Sequence, residues 1–131
     1  MSESQIRCPE SSGQITLAIK EAAYGPDHPQ AAITLGNLGN LQQELGELDG
    51  ARATLQRALA INEAAYRPDH PQIAAALTNL GNVQRELGDL DGARAALQRA
   101  LAIFEAAYGP DHPQAAITLT NLGIVEQELG D

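Results

Sequence analysis

Three histidines, His28, His70 and His112, stand in one repeated context, "PDHPQ", each directly after an aspartate, Asp27, Asp69 or Asp111. Imidazole beside carboxylate is the raw material of zinc sites and of acid–base pairs. The spacing argues against both. The histidines recur every 42 residues, whereas zinc holds its ligands at about 2.0–2.3 Å, and groups a whole structural layer apart do not meet at one ion. Acid–base catalysis wants two titrating groups in unlike environments, and here like environments repeat. Cys8 has only Arg7 as a basic sequence neighbour, which is weak activation for a thiolate. No phosphate-cradling loop, nucleophile elbow or metal motif accompanies them. The histidines therefore read as surface loop residues and the aspartates as helix caps. The expectation is a protein that is not an enzyme, with no metal and no cofactor.

A loop of this kind has to join helices. In the first copy Leu35, Leu38, Leu41 and Leu45, with Gln42 among them, recur at helical spacing and predict a helix over 29–45. Gly46 then stands where a left-handed cap is expected, and Asp49 is placed to cap a second helix over 50–66. That helix carries Ala51, Leu55, Ala58, Leu59 and Ala65 on one face and Arg52, Gln56, Arg57 and Glu63 largely on another. So short a link makes the two helices antiparallel neighbours. Pro68 ends the outgoing helix, and Pro71 suits the first turn of the incoming one. Asp27 with Gln30, Asp69 with Gln72 and Asp111 with Gln114 have capping-box spacing, and either Asp69 or His70 is the N-cap.

The unit starts at Tyr24, again at Tyr66 and again at Tyr108, and the first two copies differ at only ten of 42 positions. Self-similarity at a fixed period of about 20–50 residues indicates an array in which each unit buries its apolar face on the next. The chain divides into an irregular leader over 1–13, a half repeat over 14–23, repeats over 24–65 and 66–107, and a half repeat over 108–131. Aromatic residues are 3% of the chain and tryptophan is absent, so close helix packing on Ala and Leu is favoured over a thick aromatic core. A net charge of -9 argues against nucleic acid and against anionic membrane surfaces as partners. One cysteine makes no internal disulfide, and no apolar run reaches about 18 residues, so a cytoplasmic protein is expected.

Leu38-Gly39, Gly46, Ala51 and Ala58, matched by Leu80-Gly81, Gly88, Ala93 and Ala100, fill a familiar pattern. In these residues the chain resembles the tetratricopeptide repeat. The longer period, with "GPDHP" and "RALAI", is similar to the 42-residue variety of kinesin light chains and many bacterial repeat proteins. The resemblance implies an all-α solenoid, a right-handed superhelix of helix-turn-helix units. With first helices labelled A and second helices B, it implies about six helices in the order B-AB-AB-A. The chain departs from the family pattern where Gln42 replaces an aromatic in the first helix, and where Leu55 and Leu97 do so in the second. Gly39, Gly81 and Gly123 fall inside predicted helices, where glycine costs about 1 kcal/mol relative to alanine. Close approach of the partner helix at Ala51 or Ala58 would offset that cost. Gly36 adds a second penalty, which makes 29–45 the least stable of the first helices.

The resemblance also implies a concave groove lined by the first helices. It carries over Asn37, Asn40, Gln43 and Glu44 in the first unit, Thr78, Asn79, Asn82, Arg85 and Glu86 in the second, and Thr120, Asn121, Ile124, Gln127 and Glu128 in the third. Layers advance by about 10 Å and an extended peptide by about 3.3 Å per residue, so each layer faces roughly three ligand residues. Asn37, Asn79 and Asn121 form the expected ladder, since an amide both donates to and accepts from a peptide backbone. Glu44, Glu86 and Glu128 favour a neutral or basic ligand, with Arg85 the sole groove cation. The expected function is a scaffold binding a peptide or partner segment. The alternative is a structural module that self-associates, head to tail or by helix exchange, through apolar terminal helices bearing Ile117, Leu119, Leu122, Val125 and Leu129. A piece of a longer array is an equal alternative to that self-association.

Overall fold

The computed structural model describes residues 28–130, which form five α-helices: α1 (Pro29–Glu44), α2 (Leu48–Ala65), α3 (Pro71–Leu87), α4 (Leu90–Tyr108) and α5 (Pro113–Leu129). The half repeat expected over 14–23 and the leader lie outside the described residues. Each helix packs on its chain neighbours, and α3 also touches α1 and α5. No Cα of α2 comes within 8 Å of one of α4. Those two are bridged instead by long side chains, with Arg99 Nη1 2.9 Å from Glu63 Oε2. The first helices of the layers therefore crowd together and the second helices splay apart, which makes an all-α solenoid.

The loops explain why the layers start where they do. His28, His70 and His112 have φ near -73° and ψ of 136–143°. The proline that follows forces this extended geometry, which is also what an N-cap requires. The backbone N–H of Gln72 donates to His70 Nδ1 at 3.0 Å, and those of Gln30 and Gln114 donate to His28 and His112 at 3.1 Å. The histidines are thus the caps, and the expected capping box is corrected. Asp69 faces Arg67 at 4.0 Å instead, while Asp27 lies outside the described residues. Tyr66 stacks on His70 and Tyr108 on His112, with ring centroids 4.0 and 4.3 Å apart. His70→Ala is expected to lower the unfolding free energy by about 0.5–2 kcal/mol, with His70→Asn recovering most of it, as read by denaturant melts.

The second helices begin earlier than expected. Asp49 lies inside the first turn of α2, 3.3 Å from Arg52, and the N-cap is Glu47, which makes no side-chain cap bond. In the next layer the equivalent residue, Asp89, does cap, accepting from the Gly92 N–H at 3.0 Å. Gly46, Gly88 and Gly130 follow α1, α3 and α5 with φ of +82° to +90°, the left-handed turn that glycine takes without strain.

Small clusters at successive interfaces make up the core. Leu35, Leu38, Ala58 and Ile61 join α1 to α2, and Ala51, Leu55, Leu80 and Val83 join α2 to α3. Ile73, Leu77, Ala100 and Phe104 join α3 to α4, and Ala93, Leu97, Leu122 and Val125 join α4 to α5. At Gly39 and Gly81 a leucine comes closest, and the expected approach at an alanine is met only at Gly81, where an added Cβ would lie 3.5 Å from the Ala93 carbonyl oxygen. A Cβ at Gly39 would lie 2.6 Å from Leu55 Cγ and one at Gly81 2.9 Å from Leu97 Cγ. At Gly123 it would meet nothing within 4 Å. The expected apolar end is also narrower than the sequence suggested. Ile117 and Leu119 are exposed, but Leu122 and Val125 are buried and Leu129 packs beside them.

Candidate functional site

The face formed by α1, α3 and α5 gathers the polar residues singled out by sequence, and they sort into two groups. One group is occupied with the array itself. Gln43 Nε2 donates to Glu86 Oε1, and Arg85 Nη1 pairs with Glu128 Oε1 at 3.1 Å, each link joining a first helix to the next. These ties draw α1, α3 and α5 together, and the Arg85 charge is matched by Glu128. The Thr78 and Thr120 hydroxyls donate to the carbonyls of Ala74 and Ala116 in their own helices, at 2.9 and 3.0 Å.

The second group is uncommitted. The Asn37, Asn40, Asn79, Asn82 and Asn121 amides make no hydrogen bond within the described part of the chain. Asn37 is exposed and the other four are half-buried. Glu44 and Gln127 are exposed and equally without a described partner, and Ile124, between Asn121 and Gln127 along α5, is 38% exposed. Between α1 and α3 the surface sinks into a cleft of about 160 Å³ with Asn37, Asn40 and Asn79 in its lining. Leu55 and Ala58 of α2 also line it. The structure thus brings two rungs of the expected ladder together at one cleft, while Asn121 stands one layer further on.

Sequence reasoning missed Asn62, which also lines this cleft. It is 7% exposed, and its Nδ2 donates to the Gln72 carbonyl across a long 3.4 Å. The available signal was internal, since the equivalent residue one period on is Phe104. A buried amide where the copy has an aromatic is a departure that the core alone does not require.

A tetratricopeptide-repeat family model matches residues 13–64, 41–106 and 72–131, overlapping along nearly the whole chain. The chain belongs to the tetratricopeptide-repeat family. Among solved structures, the nearly identical TPR-like repeats assigned to a kinesin light chain from Podosopora anserina superpose with a TM-score of 0.83 at 22% identity. BtubC (BKLC) from P. vanneervenii does so with 0.81 at 24% identity. The matches cover 90% and 91% of this chain but 56% and 49% of those chains, so it spans about half their length. No curated protein matches. At these identities the likeness concerns the fold. Tetratricopeptide-repeat arrays generally serve as protein-interaction scaffolds. No described helix is long and apolar enough to cross a membrane.

Proposed function

We propose that this tetratricopeptide-repeat chain holds an extended segment of a partner protein along the face of α1, α3 and α5. The observation that carries the reading is the set of uncommitted amides, Asn37, Asn40 and Asn79, around the cleft between two layers. Each can give and take a hydrogen bond, which is what a peptide backbone asks of a receptor. With Arg85 offset by Glu128, the remaining charge on this face is Glu44 and Glu86, so neutral or basic segments are favoured over acidic ones. The reading assigns no catalytic residue, and a cytoplasmic setting suits a chain with a single cysteine. Peptides selected on the wild-type chain are expected to bind Asn79→Ala about 2–10-fold more weakly by calorimetric titration, the value of one hydrogen bond. Equal binding by both proteins rules the asparagine ladder out.

A second reading rests on α5, where Ile117 and Leu119 are 52% and 56% exposed while the residues equivalent to Leu119, Leu35 and Leu77, are buried. Such a face suits association between copies. Sedimentation equilibrium separates the two readings, because self-association raises the apparent mass with concentration.

A further inference from the structure

We propose that the cleft between α1 and α3 is a specificity pocket for one uncharged side chain with a hydrogen-bond donor at its tip, a glutamine or asparagine of the bound segment. This rests on the reading of that face as a peptide-binding surface. The cleft lies where the repeat departs from itself. Of the ten positions at which the first unit differs from the second, four place a residue in its lining: Ile33 with its counterpart Ala75, Ala76, Gly36 and Asn62.

The departures hollow the site and make it polar. Gly36 stands where later layers have Thr78 and Thr120, and a Cβ built on it meets nothing within 4 Å. Asn62 stands at the position of Phe104, which is 3% exposed in the core of the next layer. Neither change favours the fold, because glycine is a poor helix former and a buried amide packs less well than an aromatic ring. Recognition accounts for both.

The chemistry of the lining narrows the occupant. No charged residue lines the cleft, so a charged side chain would lose its hydration without a counter-ion. Leu55, Ala58 and Ala76 suit an apolar stem. Asn62 spends its Nδ2 on Gln72, and its Oδ1 accepts from no described residue. A purely aliphatic occupant would cover that oxygen without offering it a donor, and sites built on such a bond discriminate strongly against ligands that lack it. A cavity of about 150 Å³ admits benzene, so the volume here suits a carboxamide side chain.

The experiment selects binders from a random peptide display library on the full chain. Synthetic versions are then titrated against wild type, Gly36→Thr and Asn62→Phe, with circular dichroism as the check on folding. Both substitutions copy residues that the neighbouring layer already accommodates, and Gly36→Thr improves helix propensity, so lost binding is not lost structure. The expected result is a consensus Gln or Asn at one position. Its replacement by Leu, and each protein variant, should weaken binding by about tenfold or more. An aliphatic or charged consensus, or binders indifferent to Gly36→Thr, overturns the pocket and leaves the groove reading standing. A library that yields no binder overturns both.

Discussion

Leu97→Ala is expected to lower the unfolding free energy by about 3–5 kcal/mol, the upper part of the range for a buried leucine. Leu97 is fully buried, and its side chain lies over Gly81 on α3 while packing with Ala93, Leu122 and Val125. How much such a deletion costs depends on how far the neighbours can relax into the space. On one side the wall is the backbone at Gly81, which has no side chain to move. On the other side Leu122 and Val125 hold α5 to α4, so any shift toward the hole loosens the last described helix. Because each layer touches only its neighbours, the damage should stay local. Hydrogen exchange is expected to show α5 losing protection first, with α1 and α2 unaffected until global unfolding. Uniform loss of protection in all five helices would contradict that view of the array.

The sequence carried the fold further than it carried the site. Helix positions were legible because punctuation repeats: proline at the first turn and glycine after the last, written at Pro29, Pro71 and Pro113 and at Gly46, Gly88 and Gly130. The cap was legible only to within two neighbours, Asp69 and His70, and the structure selects the histidine. A D-x-x-Q spacing suggests aspartate, but proline holds the preceding histidine extended, and its Nδ1 already reaches the N–H of the glutamine two residues on. The start of α2 was misplaced for a similar reason. Asp49 looks like a cap in isolation, yet only comparison with Asp89 shows that the capping position is that of Glu47.

The residues of the candidate site divided along a line that sequence cannot draw. Position within a repeat says which residues face one side, and Asn37, Asn40 and Asn79 of that set line the cleft. It does not say which of them the array consumes. Pairs 43 residues apart, Gln43 with Glu86 and Arg85 with Glu128, meet because successive first helices are offset by slightly more than one repeat. That offset is a property of the packed stack, so the two glutamates read as ligand contacts until the layers are assembled. The departure from the family pattern at Gln42 also acquires a physical reason. Gln42 takes an aromatic's place, and a Cβ at Gly50 would lie 3.0 Å from its Nε2, so the amide fills the space against the next helix.

Three glycines at one repeat position should answer the same substitution with different signs. Gly39→Ala puts a methyl 2.6 Å from Cγ and Cδ2 of Leu55, so this buried side chain must leave its packed position. Overpacking of this kind costs about 1–3 kcal/mol, against roughly 1 kcal/mol recovered in helix propensity, so net destabilisation is expected. Gly81→Ala is milder, at 2.9 Å from Leu97 Cγ. Gly123→Ala meets no neighbour within 4 Å and should stabilise by about 0.5–1 kcal/mol. The sign belongs to the leucine opposite and not to the glycine. Gly81→Ala introduced into Leu97→Ala should therefore turn from destabilising to stabilising, since the added methyl then enters a hole. A double-mutant cycle by urea denaturation reads this directly as a coupling energy. Additive effects would show that Gly81 and Leu97 do not share one packing site. Destabilisation by Gly123→Ala would show that something in solution already sits on α5 as Leu55 sits on α1.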